Sequence, residues 1–130
     1  MINNIASFLL PGGLVVAVVP NAESLHRQLA VMIGIQEAVH TLSPRDKMVG
    51  HQRVFTLDEL VSDFEEAGLN VEERFGYFVK IIPNSMMSEW SPQLLRALTN
   101  ISHQLPPNLL ANIGVVARKP YANEEEMLVI

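Results

Sequence analysis

Hydrophobic and polar positions change their period several times along the chain. The clearest run is Leu57, Leu60, Val61 and Phe64, at i, i+3, i+4 and i+7, with Asp58, Glu59, Asp63, Glu65 and Glu66 mostly on the other side. That spacing predicts one apolar face of a helix. Thr56 stands before it as an N-cap whose hydroxyl accepts from the opening backbone N–H groups. Glu59 lies three residues on and completes a capping box. Gly68 supplies the left-handed residue that ends such a helix. The period then drops to two: Leu69, Val71, Phe75, Tyr77, Val79 and Ile81 alternate with Asn70, Glu72, Arg74 and Lys80. This predicts a strand with one wetter face.

The rest of the chain is read in the same way. Ile2, Ile5, Ala6, Leu9 and Leu10 have helical spacing, and Pro11-Gly12-Gly13 is a turn. Leu14 to Val19 is apolar on both faces, which predicts a strand buried between helices in a parallel sheet. Pro20 ends it, and Asn21 is placed to cap a helix whose buried face is Leu25, Leu29, Met32 and Ile33, with Gly34 at its end. Residues 40–53 form a loop, with a turn at Ser43-Pro44-Arg45-Asp46. Pro83-Asn84 breaks the strand. Ser91-Pro92 opens an amphipathic helix carrying Leu94, Leu95, Leu98, Ile101 and Leu105, which Pro106-Pro107 stops. Ile113 to Ala117 is the last strand. The pattern is one α/β domain over 1–120 and an acidic tail over 121–130 that frays.

Two segments carry a family resemblance. The first is Leu10-Pro11-Gly12-Gly13 leading into Leu14–Val19 and Pro20-Asn21. The second is Gly50-His51-Gln52-Arg53-Val54-Phe55-Thr56-Leu57-Asp58-Glu59-Leu60, continued by Ala67-Gly68-Leu69-Asn70-Val71. In this order and at this distance they resemble the C-terminal half of class I S-adenosylmethionine-dependent methyltransferases of the small-molecule, type 11/12 kind. The likeness runs over about residues 5 to 118 but spans only the second half of that fold. It implies a partial Rossmann-like fold, a small mixed sheet flanked by helices. The first two strands would be parallel to each other, with the last inserted antiparallel between them.

The resemblance also implies what the chain does. Its function would be the substrate-side part of a small-molecule methyltransferase, in which a bound nucleophile attacks the sulfonium methyl in line. The Gly-rich turn and ribose-binding acid of that family have no counterpart here. Gly12-Gly13 precede a strand instead of following one. The chain is therefore expected to bind no cofactor alone, and S-adenosylmethionine only if complemented by the missing half. The strand Leu14–Val19 would be an unguarded sheet edge. It calls for a second copy, giving a homo-oligomer, or for a complementing N-terminal methyltransferase half. Met1 falls where a full-length relative would be in mid-helix, which favours a non-catalytic interaction subunit or an inactive fragment as the alternative.

Composition narrows these choices. The chain has 130 residues, 48% hydrophobic and 18% charged, enough for one globular core. Net charge is −5 with scattered basic residues, which disfavours a nucleic-acid or anionic-membrane surface. There is no cysteine, hence no disulfide, thiolate metal site or cysteine nucleophile. That fits a cytoplasmic location. The first apolar run is interrupted by Pro11-Gly12-Gly13 and has no basic lead, so it reads as neither signal peptide nor span.

The candidate substrate-binding residues are His51, Arg53 and Asn21. His51 has the chemistry of a general base near neutral pH, and Arg53 that of a carboxylate or phosphate clamp. The competing readings are a loop histidine bonded to backbone and a surface cation. Asn21 follows the C-terminal end of a strand, where α/β sheets bind ligands, and equally suits plain capping. His26 reads as structural, and His40 and His103 have no metal-like spacing. Met86, Met87 and Trp90 suit either an apolar pocket or a core.

Overall fold

The computed structural model describes residues 2–42, 47–48, 53–81 and 89–121. Among these residues four helices and three strands follow in the order α1 (Ile2–Phe8), β1 (Leu14–Pro20), α2 (Leu25–Met32), α3 (Leu57–Glu66), β2 (Asn70–Tyr77), α4 (Pro92–Ser102) and β3 (Asn112–Arg118), with a short 3-10 turn at Pro107–Leu109. β3 lies between β1 and β2 and is antiparallel to both. The two outer strands therefore run the same way without touching. Both described ladders of the sheet are antiparallel, and an isolated parallel bridge joins Asn21 to Phe55.

α3 forms for the local reasons its sequence contains. The Thr56 hydroxyl accepts from the Glu59 N–H at 3.1 Å, and the Glu59 carboxylate accepts from the Thr56 N–H at 3.2 Å. At the other end Gly68 sits at φ +84°, with Leu69 N–H bonded to the Phe64 carbonyl and Gly68 N–H to that of Glu65. Those two bonds form a Schellman stop, reinforced by burial of both Leu69 and Phe64. The helix lays Leu57, Leu60, Val61 and Phe64 on one face of the sheet, against Ile113, Val115 and Ala117 of β3. Val15, Ala17 and Val19 of β1 and Ile2, Ala6 and Leu9 around α1 pack on the same cluster.

Among the described residues the opposite face of β1 is open, which corrects the expectation of a β1 buried on both sides. Leu14, Val16 and Val18 are 49%, 62% and 44% exposed. α3 and the residues around α1 pack on one face, so one row of β1 meets the core and the alternate row does not. On that open face Phe75 lies over Gly114, where an added Cβ would come within 2.2 Å of the ring.

β2 also departs from strict alternation. A bulge between Val71 and Glu73 shifts the register. Arg74 thereby turns to the α3 side, where it meets Asp58 at 3.5 Å, and Phe75 turns to the other. The strand stops at Tyr77, short of Ile81, because Phe78 takes φ +61°, outside the strand conformation. The N–H of Val79 is then met by the buried Ser102 hydroxyl at 2.6 Å.

Two helices differ from their expected faces. α2 starts at Ser24 and not at Asn21, and its most buried residue is Arg27. Arg27 donates to the carbonyls of Thr41 at 3.0 Å and Val39 at 3.4 Å, tying the following loop to the helix. Met32 and Ile33 are exposed, and Ile35 beyond them too. α4 is capped as expected, by Ser91 with Pro92 at its first position, but leaves Leu94 and Ile101 exposed. No helix among the described residues is long and apolar enough to cross a membrane.

Candidate functional site

The end of β1 is the best-built polar region of the molecule. Asn21 is fully buried, and every polar function of its side chain is engaged. Its amide nitrogen donates to the carbonyls of Asn108 and Leu110, both at 2.8 Å, and its amide oxygen accepts from the Glu23 N–H at 2.9 Å. The neighbouring backbone continues the clamp: Asn21 N–H donates to the Ala111 carbonyl and Ala22 N–H to that of Phe55. Asn21 therefore ties three segments together, the turn after β1, the 107–111 connection and the lead into α3. Its side chain has no exposed surface to offer a substrate.

Above this clamp opens a small cleft of about 210 Å³, lined by Glu23, Leu57, Asp58, Pro107 and Asn108. It is smaller than the roughly 300–1,000 Å³ of drug-sized ligand pockets, so it fits one functional group of a ligand and not a whole one. Two carboxylates and an amide line it, beside a leucine and a proline. That wall attracts hydrogen-bond donors and cations, such as a hydroxyl or an amine.

Arg53 lies on the other flank of α3. Its guanidinium donates to Asp63 at 3.0 Å and Glu59 at 3.3 Å and stacks over the Phe55 ring at 4.2 Å from the centroid. Asp58 is about 100° from Glu59 and 140° from Asp63 around the helix. The chain thus sets Arg53 apart from the cleft, and an anionic ligand there would compete with two carboxylates. His51, Met86 and Met87 lie outside the described residues. Trp90, ahead of α4, is half-buried.

His40, without metal-like spacing in the sequence, has a carboxylate partner in the structure. It comes from a loop nineteen positions away to place Nε2 2.6 Å from Glu59 Oε1. That bond, followed by the capping bonds to Thr56, holds the Glu59 carboxyl at about 2, against its ordinary 4.5. An ionised carboxylate only accepts, so His40 Nε2 carries the proton of this bond. Asp63, Arg53, Glu59 and His40 form a surface chain across the start of α3. No spacing rule connects His40 to Glu59, because the intervening loop decides where the ring arrives.

The paired glycines of the resemblance stand at the entry to β1, packed against other parts of the chain. Gly12 stands at φ +80° before β1, and the space a side chain would take is filled by the Tyr121 ring at 2.4 Å. At Gly13 it meets the Leu10 carbonyl at 2.9 Å. In comparison with known proteins, no family model matches this chain and no curated protein matches it.

Proposed function

We propose that the chain is the C-terminal, substrate-side part of a small-molecule S-adenosylmethionine-dependent methyltransferase with a partial Rossmann-like fold. The observation that carries the reading is strand order: a final strand inserted antiparallel between two strands that run the same way. The Thr56–Glu59 capping box and the Gly68 stop lie within the segment that carries the resemblance. On this reading the cleft at the end of β1 receives the methyl acceptor, at the carboxyl end of a strand where open α/β sheets bind ligands. Glu23 and Asp58 accept from a hydroxyl or amine of the acceptor and fix its orientation, and Asn21 holds the cleft walls in place from beneath. The cofactor is held by the other half of the fold.

The test is reconstitution. The chain is combined with the cofactor-binding half of a class I enzyme, and transfer of isotope-labelled methyl from S-adenosylmethionine is followed over hydroxyl- and amine-bearing acceptors. Transfer that falls at least tenfold in Asp58→Asn or Glu23→Gln supports the reading. A stable complex that transfers no methyl to any acceptor argues against it. Calorimetry of the chain alone should give no S-adenosylmethionine binding in the micromolar range. A second reading, a non-catalytic interaction subunit, is favoured by the uncovered outer row of β1.

A further inference from the structure

The sheet has two edges, and they are built differently. The β2 edge carries Glu72, Glu73 and Arg74 and a bulge, the usual guards against strand addition. The β1 edge, Leu14–Pro20, carries no charge and no bulge, and its proline stands only at the end.

Hydrogen bonds fix what that edge presents. Asn21 N–H donates to the Ala111 carbonyl at 3.0 Å and Lys119 N–H to the Gly13 carbonyl at 2.9 Å. These set the phase of the β1–β3 ladder: Val15, Ala17 and Val19 exchange bonds with β3, and Leu14, Val16 and Val18 point their N–H and C=O groups outward. The outward row ends there on both sides. Pro20, next in phase, has no N–H, and Phe55 bridges Asn21 just beyond it. Gly12 spends its N–H on the Lys119 carbonyl. The same three residues present exposed side chains on the open face.

We propose that β1 is a homodimerisation strand, pairing antiparallel with β1 of a second copy about a two-fold axis at Val16. A row of three outward residues centred on Val16 is self-complementary. Val16 faces its own counterpart, Leu14 faces the partner's Val18, and every outward N–H finds a carbonyl with no overhang. Apolar side chains meet across the junction on the open face. The antiparallel sense also matches charge, because it brings the end of β1 beside Arg118 and Lys119 towards the partner's end beside Glu23. Among the described residues each copy has one unguarded edge, so pairing closes at two. The strand contact is small next to a standard interface of roughly 1,600 Å², so the dimer is weak. The inference uses the edge alone and does not depend on the methyltransferase reading.

Sedimentation and amide exchange on the 130-residue chain, from ~10 µM to ~1 mM, test it. The mass should rise towards twice the monomer. The Leu14, Val16 and Val18 amides should become protected with concentration, and those of Val15, Ala17 and Val19 should not change. Val16→Lys and Val16→Glu place their charges on an exposed position, so each should fold, by circular dichroism, and stay monomeric. Mixed one to one they should associate, because the axis sets Lys against Glu. A wild-type chain monomeric at ~1 mM, or outward amides already protected in the monomer, would overturn the proposal. So would a Val16→Lys variant that dimerises like wild type, or a charge-swapped pair that stays apart.

Discussion

α3 and α2 have apolar faces of similar promise in the sequence, and they end differently. α3 buries Leu57, Leu60, Val61 and Phe64 under the sheet, whereas α2 leaves Met32 76% exposed and buries an arginine. The difference lies in what each helix meets. α3 is pinned at both ends by bonds within its own few residues, and β3 offers Ile113, Val115 and Ala117 beneath it. α2 follows β1, and of its apolar side Leu25 and Leu29 are half-buried while Met32 and Ile33 lie open. A helical period predicts a face, and only a neighbour turns that face into a core.

The contrast can be broken most sharply at the two apolar faces. Phe64→Ala should cost about 3–5 kcal/mol in urea denaturation, through lost burial and the cavity left. Met32→Ser on α2 should change the same midpoint by less than about 0.5 kcal/mol. Equal effects would mean that α2 has a packed partner.

Asn21→Ala comes next. It strips hydrogen bonds from the carbonyls of Asn108 and Leu110 and should destabilise by about 2–3 kcal/mol. A variant of native stability would show that these bonds do not hold the end of β1 in place. Thr56→Ala should cost about 1 kcal/mol by removing the cap of α3, and an unchanged midpoint would show that Glu59 holds the helix start without it.

The smallest effect is that of pH. Glu59 is held below its ordinary carboxyl value, so its contribution is complete above about 4.5 and is lost as pH falls from there towards about 2. Glu59→Gln keeps a capping-box side chain but does not titrate. Its stability should therefore fall less steeply over that acid window, and it should be the less stable protein at neutral pH. Parallel pH profiles would contradict the His40–Glu59 pairing. The effect is modest, because both side chains are more than a third exposed and solvent screens the pair.

Much of the fold could be read from local pattern. The cap and stop of α3, the turn at Pro11–Gly13, the Ser91-Pro92 start of α4 and the three strands depend on residues a few positions apart, and the structure has them there, save that β2 ends at Tyr77, short of Ile81. Less of the site could be read. The position of Arg53 in the resembled segment and its clamp chemistry single it out in the sequence, but its partners Glu59 and Asp63 and its stacking on Phe55 follow from how the loop meets α3.

What the sequence determined by itself is the set of elements and their ends, because capping bonds, glycine stops and proline breaks act within one or two turns of chain. The tertiary structure alone decided which faces found cover. It left the outer row of β1 and the far side of α2 open, and the bulge at Val71–Glu73 turned Arg74 towards Asp58. It also made Asn21 a clamp on carbonyls 87 and 89 residues away, and carried His40 to Glu59. Those outcomes depend on contacts between segments far apart in the chain, where a shift of one residue exchanges the buried and exposed faces of a strand.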